Sequence, residues 1–69
     1  MISGAEAVKA FEKAGYEFDA QHGGHIIIRR ADPPHRRLSV PNHKALAKGT
    51  LRALIREAGF TVDEFARLL

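Results

Sequence analysis

The switch in hydrophobic period at Gly15 constrains this chain more than any other feature. Before it, Ala7, Val8, Ala10, Phe11 and Ala14 recur at helical spacing, with Lys9, Glu12 and Lys13 outside the stripe. Ser3 and Glu6 stand at capping-box spacing, and Gly15 is a natural stop, so a helix is predicted over about residues 4–14. After Gly15 the period becomes two. Tyr16-Glu17-Phe18-Asp19-Ala20-Gln21 alternates as a strand buried on one face does. His22-Gly23-Gly24 reads as a short hairpin loop, because glycine supplies the positive φ that such turns need. His25 to Arg30 is a second predicted strand. Residues 31–35 hold Pro33 and Pro34, which cannot donate to a ladder, and read as a loop. Arg36 to Val40 is a third strand, ended by Pro41.

The two loops fix a register. Closing the first hairpin at 22–24 pairs Ala20 with Ile26 and Phe18 with Ile28. Closing the second at 31–35 pairs Ile28 with Leu38 and Ile26 with Val40. All of these residues fall on one apolar face, which is the arrangement a half-buried sheet requires. Tyr16 and Phe18 belong to that core face. The opposite face then carries Glu17, Asp19, His25, Ile27, Arg29, Arg37 and Ser39.

Beyond the strands, KGTLRALIREAG supplies Leu51, Leu54, Ile55 and Ala58 as a helical stripe ending at Gly59. Thr61 and Glu64 repeat the capping-box spacing, and Val62, Phe65, Leu68 and Leu69 complete a short last helix. The expected fold is α+β. It has two layers in the order α-β-β-β-α(-α), with a three-stranded antiparallel sheet covered by helices on one face. At 69 residues the chain is expected to be one domain, 1–69, with no repeat or linker.

Several function classes drop out on composition. Without cysteine there is no thiolate metal site, and His22, His25, His35 and His43 lack the spacing of a zinc motif, so no metal or cofactor is expected. No apolar run reaches the ~20 residues that span a membrane, and no signal-peptide pattern opens the chain, so a cytoplasmic protein is expected. Charge is unevenly spread. Residues 22–56 carry eight Lys and Arg against Asp32 alone, +7, and the remainder carries −4 within a total of +3. That asymmetry points to a polyanion, most simply nucleic acid, or to an acidic protein partner, and also fits a plain solvated surface. Lys44, Lys48, Arg52 and Arg56 form a basic stripe at nearly i, i+4 spacing. The Lys48-Gly49-Thr50 start also offers helix N–H groups to an anion.

The strand order is that of the double-stranded-RNA-binding domain, which the chain resembles in topology. Its residues are more specific. G-x-x-F/Y at 15–18, Q-x-G-x-H at 21–25, V-P-x-H at 40–43, K-G-T-L-R at 48–52, A-G at 58–59 and the closing T-V-D-E-F-x-x-L-L together resemble the HicA toxin family. HicA proteins are the small mRNA-cleaving toxins of HicAB toxin–antitoxin modules. The likeness runs from about Ser3 to Leu69. It implies a double-stranded-RNA-binding-like fold and an endoribonuclease that needs no metal and acts on mRNA. It also implies a HicB antitoxin that covers the active site. The family's catalytic histidine, in its G-S-H motif, corresponds to His25, and its usual serine before that histidine is Gly24 here.

Physical chemistry bears on the same residues. Metal-free RNA cleavage needs a group that deprotonates the 2′-hydroxyl or protonates the leaving 5′-oxygen, and histidine suits both. It also needs cations against the charge gathering on the phosphate. Arg29 and Arg37 share the open face with His25, with Ser39 beside them, and Gly23 and Gly24 leave N–H groups open. Lys48 and Arg52 extend the phosphate-binding set. His22, three residues from His25, and His43, past the third strand, are possible auxiliaries. Each has a plain counterpart. Glu17 lies opposite Arg29 and can pair with it at the surface, and a lone histidine on a sheet face can be idle. His43 can serve only to anchor its loop. The alternative function is a non-catalytic RNA-binding module using the same basic surface.

Overall fold

The computed structural model describes residues 2–69. The elements run α1 (Gly4–Lys13), β1 (Tyr16–His22), β2 (His25–Arg30), β3 (Arg37–Pro41), α2 (Lys48–Glu57) and α3 (Val62–Ala66). The strands form one antiparallel sheet in the order β1-β2-β3. This is the expected α+β architecture. The helices lie on one face of the sheet, where Ile28, Leu38 and Val40 join Ala7, Ala10, Phe11, Leu54, Ile55 and Phe65 in a single buried cluster. Phe11 is its centre, with ring centroids at 5.6 Å from Tyr16, 5.0 Å from Phe65 and 6.5 Å from Phe60.

Helix ends form where the residues demand. Ser3 caps α1 and Thr61 caps α3, each in a reciprocal capping box with Glu6 and Glu64. The Ser3 and Thr61 backbone N–H groups, aided by the two hydroxyls, hold both carboxyls below the usual glutamate range. Gly15 and Gly59 follow α1 and α2 at φ 103° and 83°, the left-handed stop that glycine takes without strain. The last helix is shorter than the apolar pattern suggests. It ends at Ala66, and Val62 and Leu69 are exposed while Phe65 alone is buried.

The second hairpin has the expected register, with Ile28 opposite Leu38 and Ile26 opposite Val40. The first does not. Phe18 pairs with Ile28 as expected, but Ala20 pairs with Ile27, Gln21 with Ile26 and His22 with His25. A β-bulge at Asp19 absorbs one residue, so the loop is the two-residue turn Gly23-Gly24, and His22 belongs to β1. Gly23 has φ 56° and Gly24 does not share the positive φ, which is the φ pattern of a type II′ turn. That turn matches the natural twist of a hairpin, and the bulge restores the apolar pairing further along. Phe18 also departs from expectation. It keeps the side of its partner Ile28 but sits on an outer strand beyond the cover of the helices, and is 57% exposed.

Candidate active site

The bulge decides which side chains share the helix-free face. Register partners in a sheet project to the same side. Three cross-strand rows therefore line the open face: Glu17, Arg29 and Arg37; then Ala20, Ile27 and Ser39; then His22, His25 and Pro41. His25 is exposed there at the first position of β2, as expected. The sequence pattern puts His22 in the turn. The register instead makes it the direct cross-strand partner of His25, and it too is exposed.

The chain after β3 ties this end of the sheet down. The Asn42 N–H donates to the Gly24 carbonyl at 2.7 Å, and the Gly4 N–H donates to the His43 carbonyl at 2.9 Å. The Leu46 N–H then reaches the Ile2 carbonyl at 2.8 Å. The hairpin turn, the end of β3 and the start of α1 thus meet at one end of the domain. His43 anchors its loop through its backbone, while its side chain is exposed. His35 is at the other end, where its Nδ1 lies 3.0 Å from the Arg30 carbonyl and its φ of 56° closes the proline loop.

Both arginines of the open face are engaged with carboxylates. Arg29 Nε donates to Glu17 Oε1 at 3.0 Å, and Arg37 Nε lies 3.0 Å from Asp19 Oδ2. Arg29 and Arg37 are register partners, so two like charges would otherwise stand side by side. The flanking carboxylates offset that repulsion, and an incoming phosphate has to compete with them. Asp19 keeps the open face that the alternating pattern gives it, although it is the bulged residue. Glu17→Gln with Asp19→Asn is therefore expected to tighten RNA binding by up to about tenfold at ~0.1 M salt, two exposed ion pairs being worth ~0–1 kcal/mol each. The salt slope should steepen by about 1.4, the equivalent of two more phosphates on a single strand. A fluorescence-anisotropy titration across salt measures both, and an unchanged affinity removes the arginines from the RNA-binding set.

Lys48 and Arg52 are exposed on α2, in the helix layer, so the fold does not bring them onto the open face with His25. Ala47 makes no side-chain cap there and no acidic residue follows in the first turn, which leaves that helix end positive. Among the described residues no three His, Asp or Glu side chains converge as a metal site, and no helix is long and apolar enough to cross a membrane.

An exposed histidine pair and two arginines on one bare sheet face form an arrangement suited to a phosphodiester. The chain's likeness to known proteins agrees with its sequence motifs. The family described as the HicA toxin of bacterial toxin–antitoxin systems matches residues 4–60. That span takes in the sheet, the hairpin and α2. A comparison with curated proteins gives no match. Matched over most of its length and carrying the fold expected of it, the chain belongs to the HicA family of bacterial toxins.

Proposed function

We propose that this toxin is an endoribonuclease that cleaves mRNA without a metal, with the His25 imidazole as general acid or base. The observation that carries this reading is the exposure of His25 on the helix-free sheet face, which carries Arg29 and Arg37 two cross-strand rows away. An imidazole can take or give a proton near neutral pH. The arginines add positive charge to the same face two rows away, where neighbouring phosphates of a bound RNA would lie. Gly23 and Gly24 leave the turn's backbone open to a phosphate oxygen, and Ser39 offers a hydroxyl on the same face. Lys48 and Arg52 extend the electrostatic reach of the domain along its helix layer. A HicB-like antitoxin that covers the open face accounts for control of the activity, and an mRNA substrate places the action in the cytoplasm.

Induction of the chain in growing cells, with RNA integrity followed over time, tests this reading. Growth arrest with fragmentation of mRNA is expected. Arrest with intact RNA would favour a non-catalytic RNA-binding module instead.

Gly24 supplies a second test. A Cβ there meets no atom within 4 Å, and the residue has no positive φ, so Gly24→Ser fits without strain. The hydroxyl usual in the family would then stand beside His25. Cleavage is expected to rise by up to about tenfold, the worth of one hydrogen bond of ~0.5–1.5 kcal/mol. Stability should stay within ~0.5 kcal/mol. An unchanged or lower rate would show that the hydroxyl has no positioning role in this protein.

A further inference from the structure

A single imidazole can serve only one end of the bond it helps to cleave. In-line displacement at phosphorus puts the attacking and leaving oxygens on opposite sides of the phosphate. Full proton-transfer catalysis therefore requires two groups separated by about the width of a phosphate. His25 has two cross-strand neighbours on the open face, and they differ sharply. Pro41, on β3, carries no proton. His22, on β1, carries an imidazole.

We propose that His22 is the second proton-transfer group of the His25 site, a deepening that rests on the ribonuclease reading above. Register partners hold their Cβ atoms about 4.5–5.5 Å apart, which lets two imidazoles flank one phosphodiester. The placement is built into the backbone. The Gly23-Gly24 turn makes His22 and His25 partners, and the bulge at Asp19 preserves the core pairing while it does so. His35 is excluded by position, bound to the Arg30 carbonyl in the far loop, and His43 follows the end of β3 with no register partner on the open face.

The step balances within the pair. The neutral imidazole takes the 2′-hydroxyl proton as the 2′-oxygen bonds to phosphorus. The imidazolium gives its proton to the 5′-oxygen as the P–O5′ bond breaks. The products are a 2′,3′-cyclic phosphate and a 5′-hydroxyl, and the two histidines have exchanged protonation states, which solvent resets. The charged groups of the same face are Glu17 and Asp19 on β1, Arg29 on β2 and Arg37 on β3, and all four are tied up in ion pairs with one another. Among the described residues His43, past the end of β3, is a further titratable neighbour.

Cleavage by the purified full chain tests the pair on two substrates. One is an oligoribonucleotide with an ordinary 5′-oxygen leaving group. The other is uridine 3′-(4-nitrophenyl) phosphate, whose leaving group needs no proton. His22→Ala and His25→Ala should each lose about 10²–10⁴-fold on the oligoribonucleotide. On the aryl ester only the variant that lacks the acid should recover, and His22→Ala should lose one limb of the pH–rate profile. A His22→Ala protein with the wild-type rate and both limbs, beside an inactive His25→Ala, overturns the role of His22 and leaves the ribonuclease reading standing. Loss of rate in His22→Ala with both limbs kept and no recovery by either variant reduces His22 to a structural role and also overturns the proposal. A wild type that cleaves neither substrate at any pH removes both readings together.

Discussion

Gly4→Ala is expected to destabilise the domain by about 3 kcal/mol, against the sign that helix propensity gives. Gly4 is buried in the first turn of α1, where a Cβ would collide with the Pro41 carbonyl oxygen and stand 3.1 Å from the Asn42 Cα. Both are backbone atoms, so no side chain can swing aside. Either α1 retreats from the sheet or the end of β3 moves, and the 2.9 Å bond from the Gly4 N–H to the His43 carbonyl is lost with it. For a chain of this size total stability is on the order of 3–10 kcal/mol, so the loss is a large fraction. The melting temperature should fall by roughly 10–25 °C. Gly49→Ala is the control. It lies in α2 with nothing within 4 Å of an added Cβ, and propensity alone should keep it neutral or raise stability by up to ~1 kcal/mol. Calorimetry on the two variants separates them, and a Gly4→Ala protein as stable as the wild type would show that the contact can relax.

Gly4 also connects folding to the site. Pro41 is the register partner of His25, and Asn42 bonds the Gly24 carbonyl. A displacement of α1 is thus passed directly to the residues that hold the hairpin.

Particular residues show why some of this was legible in the sequence and some was not. The capping pairs Ser3–Glu6 and Thr61–Glu64 are local, three residues apart, and they form as their spacing predicts. The second hairpin was readable because the apolar pattern of Ile26 and Ile28 against Leu38 and Val40 admits one register only. The first hairpin admitted two. A three-residue loop without a bulge and a two-residue turn with a bulge both leave Phe18 opposite Ile28, so apolar pairing cannot choose between them. Turn energetics can, since glycine at the first central position favours the two-residue type II′ form. That signal lay in Gly23-Gly24, and it moves His22 from a loop to a cross-strand position. Phe18 departs from the alternating pattern for another reason. Alternation reports which side of a sheet a residue takes, and it says nothing of whether helices extend far enough to cover an outer strand. The close approach of Gly4 to Pro41 spans most of the sheet in sequence and leaves no local pattern at all.

His25→Ala is the other large effect. Its imidazole is exposed, has no hydrogen-bond partner among the described residues and contributes nothing to the buried cluster, so the fold has little to lose. Surface changes of this kind usually stay within ~0.5 kcal/mol. Activity is a different matter, because removing a positioned acid or base typically costs about 10²–10⁴-fold. The variant should therefore separate stability from function more cleanly than any other single change in the chain.

The most direct test of the account is the cleavage rate of a defined mRNA by the purified wild type and by His25→Ala, with both melting curves recorded. The expected result is product accumulation with the wild type and a loss of at least about 10²-fold with the variant, at matched melting temperatures. Cleavage by the folded variant at the wild-type rate would contradict it.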